Sequence, residues 1–416
     1  MAWAADRAVL RELAARVAEI AALPEQQETR RLWRVHNDLA GERPMVAFDQ
    51  VCWSEFADPA LALECEDPEC RRFEQALRRT LYQWDHFRAD QVVDGFVRVD
   101  KALTPPHRLG EELFGLRVSE DIQVTDAAND VVSHGYHNLF RTLEDVDQLV
   151  LPEVGEDAAE TRRRVEQAEW LFDGLLPVRE AGWGWDPYVS CWDPIAMWMS
   201  VEGILYGLID TPELLHAVVD RLVLCWTALL DQLEAQGLLY QWPQSTVHCT
   251  GAWTDELAAP AQTTRDLWMY GLAQALTTVS PAMFGEYEID PMMPLFDRFG
   301  LVYYGCCDPL DGRMEQVLRI PHLRKVSCSP WADPARMAAA LGPGYVLSDK
   351  PNPALLAGSG FDAEAVRADL RATLAAARPH GTPVEFIFKD ISTVARDPSR
   401  LEAEAKVAME VARAGY

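Results

Sequence analysis

The sequence is poor in basic residues. Its 38 lysines and arginines are outnumbered by 65 aspartates and glutamates, which gives a formal net charge of -27 at pH 7. A field this negative repels phosphate backbones and anionic lipid head groups. Nucleic acid and membrane surfaces are therefore not expected partners, and an acid excess on outer helices also favours solubility.

Long apolar runs are absent as well. No stretch approaches the ~20 consecutive apolar residues of a membrane helix. The segment 1–23 lacks the continuous apolar core of a signal peptide, and its Val9, Leu13, Val17 and Ile20 recur at helical spacing. Nine cysteines, an odd number in a chain without a secretion signal, indicate thiols rather than a disulfide framework. Together these features predict a cytoplasmic protein.

No low-complexity linker divides the 416 residues, of which 49% are hydrophobic and 25% charged. This balance is typical of a globular chain, either one large α/β barrel or two ordinary domains. In the second half, short apolar runs alternate with helical patterns, as expected for successive βα units.

Helix boundaries are clearest at two places. Thr211-Pro212-Glu213 combines an N-cap residue, a proline for the first helical position and an acid, and Gly237 marks the end. A second helix is predicted from Asp362, as N-cap, to about residue 378. Buried parallel strands are predicted at 44–48, 92–97, 301–304, 323–326, 345–347 and 385–388.

Polar and thiol residues follow several of these strands. In chain order they are Asp49-Gln50, Gly305-Cys306-Cys307-Asp308, Ser327-Cys328-Ser329, Ser348-Asp349-Lys350 and Lys389-Asp390. In a βα barrel the site is built at the carboxyl ends of the strands. We therefore expect these residues to contribute to one site.

Three motifs in the second half carry a family resemblance. Val279-Ser280-Pro281-Ala282-Met283-Phe284 looks like a Leu-Ser-Pro-x-x-Phe-x-x-Phe helix start, Gly305-Cys306-Cys307 falls at the place of a His-x-Cys-Gly zinc motif, and Ser348 to Pro353 falls at the place of a Gly-Asn-x-Asp-Pro turn. In this order they resemble the uroporphyrinogen decarboxylase superfamily. The resemblance implies an α/β fold, a (β/α)8 TIM barrel over residues 41–416, and a homodimer. The helical spacing near the N-terminus predicts extra helices over residues 1–40.

The resemblance is closer to one branch of that superfamily than to the other. True decarboxylases have an Arg-Gln-Ala-Gly-Arg motif after the first strand, where arginines grip carboxylates. Here the segment is Asp49-Gln50-Val51-Cys52-Trp53, so an acid replaces the cationic clamp. The other branch contains methyltransferases in which zinc holds a thiol as the thiolate and a methyl group moves between a corrinoid and that thiol.

A zinc site needs three or four nitrogen, sulfur or oxygen donors. The resemblance makes Cys307 the zinc cysteine, with Cys306 beside it, although Gly305 stands at the place of the family's histidine. We expect His248 and Cys328 to complete the ligand set. In a regular strand Cys306 would point to the opposite face from Cys307. The alternative for any of these cysteines is burial as a small hydrophobic residue.

Other residues near the strand ends are candidates for catalysis and substrate binding. The expected catalytic residues are Asp49, Lys350, Lys389 and Asp390, and the expected substrate-binding residues are Trp53, Glu55, Glu286, Tyr287 and Asn352. Lys389 and Asp390 could equally form a structural ion pair, and Glu286 could complement a helix dipole. An aromatic cluster is either core, a dimer interface or a ligand pocket; its members are Trp183, Trp185, Tyr188, Trp192 and Trp198.

The resulting hypothesis is a methyltransferase-like enzyme that acts on a small molecule. A metal-activated thiol would accept a methyl group from a corrinoid or from a small methylated donor. No Asp-x-His-x-x-Gly segment is present to ligate a corrinoid, so any corrinoid would arrive on a partner protein. The alternatives are a metal-free lyase (carboxy-lyase) acting on a small carboxylated substrate and a non-catalytic barrel that binds a ligand or corrinoid.

Overall fold

The computed structural model describes residues 2–104, 112–125, 132–183, 188–239 and 254–415. Helices lie at Ala2–Ala21 (α1), Pro24–Asn37 (α2), Pro68–His86 (α3), Ala158–Phe172 (α4), Trp192–Asp210 (α5), Pro212–Ala235 (α6), Pro281–Phe284 (α7), Asp290–Phe296 (α8), Met314–Val317 (α9), Pro334–Leu341 (α10), Ala354–Ala357 (α11), Ala363–Ala377 (α12) and Ser399–Ala414 (α13). A π-helical turn, Gly285–Ile289, joins α7 to α8.

Parallel strands lie at Met45–Phe48 (β1), Val97–Asp100 (β2), Val178–Ala181 (β3), Trp268–Gly271 (β4), Leu301–Tyr304 (β5), Leu323–Cys328 (β6), Val346–Asp349 (β7) and Val384–Phe388 (β8). Short antiparallel pairs join Leu103–Thr104 to Gly155–Glu156, Glu112–Leu113 to Leu116–Arg117, and Glu120–Gln123 to Ser133–Tyr136.

Six of the parallel strands form one sheet in the order β1-β8-β7-β6-β5-β4. Pairing of the first strand with the last, with Met45 opposite Glu385, is how a (β/α)8 barrel closes. Strands β2 and β3 form a separate parallel pair, so within the described residues the hydrogen bonding does not run around a complete ring. The architecture is thus α/β and barrel-like.

The strands of the six-stranded sheet bury both faces, which explains why most of them are nearly continuous apolar runs. In β5, Val302 and Tyr304 pack in the large core between the sheet and the helices. Leu301 and Tyr303 belong to a second cluster on the opposite face, together with Cys306. This alternation determines which side chains reach the interior of the barrel.

The two predicted helices are confirmed. The apolar stripe of α6 from Leu215 to Leu233 is buried in the core, and Pro212 opens the helix, although the Thr211 side chain makes no capping hydrogen bond. In α12, the Asp362 carboxylate accepts hydrogen bonds from the backbone N–H groups of Glu364 and Ala365. The helix boundaries could be predicted from the sequence because periodicity and capping depend on nearby residues alone.

The strand prediction for 92–97 is wrong in its placement. Val92 and Val93 are buried in the connection before β2, and the strand itself runs from Val97 to Asp100. Gln26 of α2 accepts a hydrogen bond from the backbone N–H of Val93. A helix distant in sequence therefore provides the hydrogen-bond partner that a neighbouring strand would otherwise provide. Burial of this kind cannot be distinguished from strand pairing by hydropathy alone.

The N-terminal helices precede the first strand, and α1 packs against α3, α4 and β2 in its own apolar cluster around Leu10 and Phe172. The domain boundary at residue 40 stays a prediction. Among the described residues, no helix is both long enough and apolar enough to cross a membrane.

Candidate functional site

Two thiols meet immediately after β5. Gly305 has a φ of +97°, and a Cβ there would lie 2.5 Å from Leu310, so glycine is needed at this bend. The bend places Cys306 Sγ 3.4 Å from Cys307 Sγ. The expectation that these neighbours point to opposite faces is therefore wrong, because the regular strand has already ended at Tyr304.

Lys389 reaches this thiol pair from the end of β8. Its Nζ lies 2.8 Å from Cys306 Sγ and 3.8 Å from Cys307 Sγ. Strands β5 and β8 are separated by β6 and β7, a span of ~14 Å in a flat sheet. The contact therefore requires the sheet to curl, which brings the strand ends of a barrel-like fold to one centre.

Asp390 completes the cluster on its solvent side. Cys307 donates to Asp390 Oδ2 at 3.1 Å, and the same carboxylate lies 3.5 Å from Lys389 Nζ. Cys306 is buried, whereas Cys307 is half-buried and Asp390 is exposed. Lys389 and Asp390 thus form an ion pair that is also part of the thiol cluster, and the cluster opens to solvent on the side of Cys307.

The two thiols have different electrostatic environments. Hydrogen bonding to Cys306 and burial hold the pKa of Cys307 well above its usual range, against the opposing effect of Lys389. An ammonium group at hydrogen-bond distance stabilises a thiolate. Cys306 is accordingly the member of the pair suited to carry the negative charge, and Cys307 the member that keeps its proton.

A second buried lysine lies on the interior face. Lys350 Nζ, after β7, lies 2.6 Å from the hydroxyl of Tyr303 and 2.7 Å from Ser348 Oγ. The Tyr303 hydroxyl itself donates to Ser348 at 3.0 Å. This network fixes an ammonium group against Tyr303, which packs in the same cluster as Cys306 and Cys307.

An acid and a phenol flank the thiols on the side of β4. The Tyr188 hydroxyl donates to Asp193 Oδ2 at 2.5 Å, and Tyr188 packs in the same cluster as Cys306 and Cys307. Burial raises the pKa of Asp193 to about 6. Asp193 can therefore change protonation state near neutral pH, as an acid or base beside the thiolate must.

Two further buried acids lie behind the bend. The Tyr304 hydroxyl donates to Glu288 Oε1 at 3.0 Å, and burial raises the pKa of Glu288 to about 8. Asp308 Oδ1 accepts a 3.4 Å hydrogen bond from the backbone N–H of Cys306, and burial raises the pKa of Asp308. Both carboxyls are buried, so they stabilise the bend that holds the thiols and do not line the side open to solvent.

The expected zinc ligands are not assembled by the described residues. Cys328 packs in the core between sheet and helices, where it contacts Asp349, so the structure does not bring it to Cys306 and Cys307. Within the described ranges, no three His, Cys, Asp or Glu side chains are placed to hold a metal ion. His248 lies outside the described residues. Among the described residues, the donors beside the thiol pair are too few for a zinc site, and Lys389 brings a positive charge to these thiols.

The structure separates the candidates that follow β1. Asp49 is half-buried at the end of β1, and its backbone N–H donates to the Phe388 carbonyl, next to Lys389. Trp53 packs against Phe56, with ring centroids 5.3 Å apart, in a separate aromatic cluster. Of Asp49, Trp53 and Glu55, Asp49 is the one at the strand-end edge, and the adjacent Gln50 accepts a 3.3 Å hydrogen bond from the Asp390 backbone N–H.

Glu55 holds a loop. It accepts hydrogen bonds from Thr393 Oγ1 at 2.6 Å and from the backbone N–H groups of Val394 and Arg396. Although burial acts in the opposite direction, these hydrogen bonds lower the pKa of Glu55. All of its described side-chain hydrogen bonds are to the loop that follows β8.

Glu286, Tyr287 and Asn352 also have local partners. Glu286 is exposed and lies 3.1 Å from His216 Nε2, and Tyr287 stacks on the same imidazole at 4.3 Å. The Asn352 side chain accepts a hydrogen bond from the backbone N–H of Ala354, the first residue of α11. The structure therefore does not bring these three side chains to the thiol pair.

The aromatic cluster divides between two locations. Trp192 and Trp198 are buried in the main core, and Trp183 packs against that core. Tyr188 faces Tyr270, with ring centroids 5.5 Å apart, in the interior cluster that contains the thiols. Trp185 lies outside the described residues.

Asp193, Tyr303 and Glu288 are the site residues that the sequence patterns did not single out. Tyr303 was detectable, since strand alternation places it on the face opposite Tyr304. Asp193 and Glu288 lie on helical segments, where no local signal shows that a carboxylate is directed towards a strand end.

Comparisons with known proteins give a likeness in fold. No family model matches the chain, and no curated protein matches it. The solved structure of a methyltransferase from Methanosarcina mazei matches with a TM-score of 0.51 and 11% sequence identity, over 92% of this chain and 98% of that chain. At this identity the match shows a shared fold alone, and it supports the barrel-like architecture.

Proposed function

We propose that this chain is a methyltransferase-like enzyme that transfers a methyl group to a small thiol without a metal. The observation that carries the proposal is the 2.8 Å contact between Lys389 Nζ and Cys306 Sγ. It is supported by the sequence resemblance to the methyltransferase branch and by the likeness in fold to a methyltransferase. The ammonium of Lys389 would provide the positive charge that zinc supplies to the thiol in that branch.

The proposed step begins with proton transfer. The Cys306 thiolate accepts the proton of the incoming thiol, and Lys389 then pairs with the substrate thiolate. An electron pair on that sulfur forms the new S–C bond, while the bond between the methyl carbon and its former carrier breaks with both electrons going to the leaving group. The proton on Cys306 returns to solvent through the half-buried Cys307 and Asp390.

The methyl donor is a methylated corrinoid carried by a partner protein or a small methylated compound. The interior rings of Tyr188 and Tyr270, which pack in the same cluster as the thiols, favour a small cationic donor through cation–π attraction. A cationic donor also leaves as a neutral molecule and so needs no further activation.

The test offers both classes of donor to the full chain. Free methylcobalamin and tetramethylammonium, each with an isotopically labelled methyl group, are incubated separately with the protein and 2-mercaptoethanol. We expect labelled methyl thioether from at least one donor, with loss of product in Cys306→Ser and a fall of about tenfold or more in Lys389→Met. Labelled thioether at the rate of the protein-free reaction would contradict the proposal.

Cys328→Ser is the matched control. It removes a cysteine at the end of the neighbouring strand whose contacts lie in the core on the other face. We expect this variant to retain the wild-type rate of methyl transfer. Equal losses in Cys306→Ser and Cys328→Ser would indicate damage to the fold and would contradict the specific use of Cys306.

A metal-free lyase is the second candidate. It is favoured by the buried Lys350, whose ammonium could hold a substrate carboxylate, and by Asp193, with its pKa of about 6, as a proton donor. Release of carbon dioxide from a small carboxylated compound, abolished by Lys350→Met and preserved in Cys306→Ser, would favour this alternative over methyl transfer.

A further inference from the structure

The two neighbouring thiols lie close enough together for a reaction other than methyl transfer. Cys306 Sγ and Cys307 Sγ are 3.4 Å apart, and closing to the ~2.05 Å of a disulfide needs a movement of ~1.4 Å. The backbone around them is fixed by the bend at Gly305 and by a 2.7 Å hydrogen bond from Ser327 Oγ to the Cys306 carbonyl. Closing the pair therefore needs rotation of both side chains and distortion of the peptide between them, because adjacent Cα atoms are ~3.8 Å apart, closer than in ordinary disulfides.

The two thiols also have different surroundings, which suit the two different roles that cysteines play in disulfide formation by a peroxide. Reaction with a peroxide needs a thiolate, and a neighbouring thiol then resolves the sulfenic acid that forms. Lys389 Nζ lies 2.8 Å from Cys306 Sγ, where an ammonium favours a thiolate, and Cys307 Sγ lies 3.4 Å from Cys306 Sγ on the side open to solvent. Asp390 Oδ2, 3.1 Å from Cys307 Sγ, is positioned to receive the Cys307 proton.

We propose that Cys306 and Cys307 are a redox modification site, in which a hydroperoxide converts the pair to a vicinal disulfide that switches the site off. This inference rests on the proposed function for its consequence, since the same Cys306 thiolate would serve methyl transfer. The chemistry of the modification itself depends only on the thiol pair and Lys389.

The reaction balances with hydrogen peroxide as the oxidant. The Cys306 thiolate attacks one peroxide oxygen, the O–O bond breaks, and Cys306 sulfenic acid and hydroxide form. Cys307, losing its proton towards Asp390, attacks the Cys306 sulfur and displaces a second hydroxide. Overall, two thiols lose two hydrogen atoms and one peroxide becomes two waters. A strained disulfide between adjacent residues is readily reduced, so dithiothreitol is expected to reverse the modification.

The experiment uses peptide mass spectrometry on the intact, folded chain. The protein is treated with hydrogen peroxide, blocked with iodoacetamide and digested with trypsin, and the peptide 299–313, whose cysteines are Cys306 and Cys307, is analysed. We expect this peptide to lose two hydrogen atoms and to escape alkylation, and to regain both alkylation sites after dithiothreitol. A peptide that stays fully alkylated, or that carries sulfinic acid, would overturn the proposal.

Three variants define the mechanism. Cys307→Ser should stop at the sulfenic acid on Cys306, which dimedone traps, and Lys389→Met should slow oxidation by about tenfold or more. Cys328→Ser should oxidise at the wild-type rate. Equal rates in the wild type and Lys389→Met would contradict the role of the ammonium.

The mass-spectrometric measurement of the disulfide requires no methyl donor, so it is independent of methyl transfer. If the disulfide forms and methyl transfer is never detected, the proposed function fails and the modification site stands. If methyl transfer is detected but peroxide does not form the disulfide, the modification site fails and the proposed function stands.

Discussion

Lys325 donates to Glu385 Oε2 at 2.6 Å, and both side chains are fully buried inside the barrel-like sheet. His36 Nε2 lies 3.2 Å from the same carboxylate oxygen. Although burial acts in the opposite direction, the charge of Lys325 lowers the pKa of Glu385 to about 2. The rings of Trp33 and Trp268 flank the Lys325 ammonium at 5.6 and 5.7 Å, so the pair is enclosed by apolar walls.

Removing one partner of this pair is expected to destabilise the fold strongly. Lys325→Met leaves the Glu385 carboxylate buried without its cation, and such changes cost about 3–5 kcal/mol of unfolding free energy. Urea unfolding followed by circular dichroism measures the loss. Adding Glu385→Gln, which removes the stranded charge and keeps an acceptor for His36, should recover part of it. A double variant less stable than Lys325→Met would contradict this explanation.

Glu288 predicts a pH dependence of stability. Its pKa is about 8 in the folded chain and near 4.5 when unfolded, so the unfolded state releases its proton first as pH rises. The folded state therefore loses stability between about pH 4.5 and pH 8. Glu288→Gln, which keeps an acceptor for Tyr304, should raise the melting temperature at pH 8 and change it little at pH 4.5. Equal shifts at both pH values would contradict the assignment.

Glu55 is expected to act on the loop after β8 rather than on substrate. Ala395 and Arg396 have φ of 55° and 57°, a conformation that non-glycine residues keep only when their surroundings enforce it. In Glu55→Ala, the backbone N–H groups of Val394 and Arg396 lose their acceptor. Hydrogen exchange at these amides should accelerate relative to the wild type, while amides in α12 remain unchanged. Unchanged exchange at Val394 would show that the loop is held by other contacts.

Lys389 should control the reactivity of Cys306. Without the ammonium, the thiolate fraction at neutral pH falls, and alkylation of Cys306 by iodoacetamide should slow by about tenfold or more in Lys389→Met. Peptide mass spectrometry follows the rate at each cysteine. Lys389→Arg, which retains a cation, should recover part of the rate. A faster reaction in Lys389→Met would mean that the lysine only shields the thiol.

Much of the fold could be predicted because it depends on local patterns. The run Leu301–Tyr304 and the helix Pro212–Ala235 have the periodicity, capping proline and glycine boundary of their elements. The strand predicted at 92–97 was misplaced because Gln26 of α2, distant in sequence, accepts the hydrogen bond of the Val93 backbone N–H. A single sequence contains no signal for such a tertiary contact.

The candidate site could be predicted only in part, for the same reason. Strand ends identified Cys306, Cys307 and Lys389, because the carboxyl ends of parallel strands share one edge. Their contact depends on the positive φ of Gly305 and on the curl of the sheet, and neither follows from residue type. Cys328 was expected beside them, yet the alternation of β6 directs it to the core on the other face.

The most direct test of the central claim is methyl transfer by protein from which metal has been removed. The chain is treated with a chelator, its zinc content is measured by mass spectrometry, and labelled methyl transfer to 2-mercaptoethanol is then recorded. If the ammonium of Lys389 activates the thiol in place of a metal, transfer continues at the untreated rate and is lost in Cys306→Ser. Loss of transfer on chelation, restored by added zinc, would contradict it.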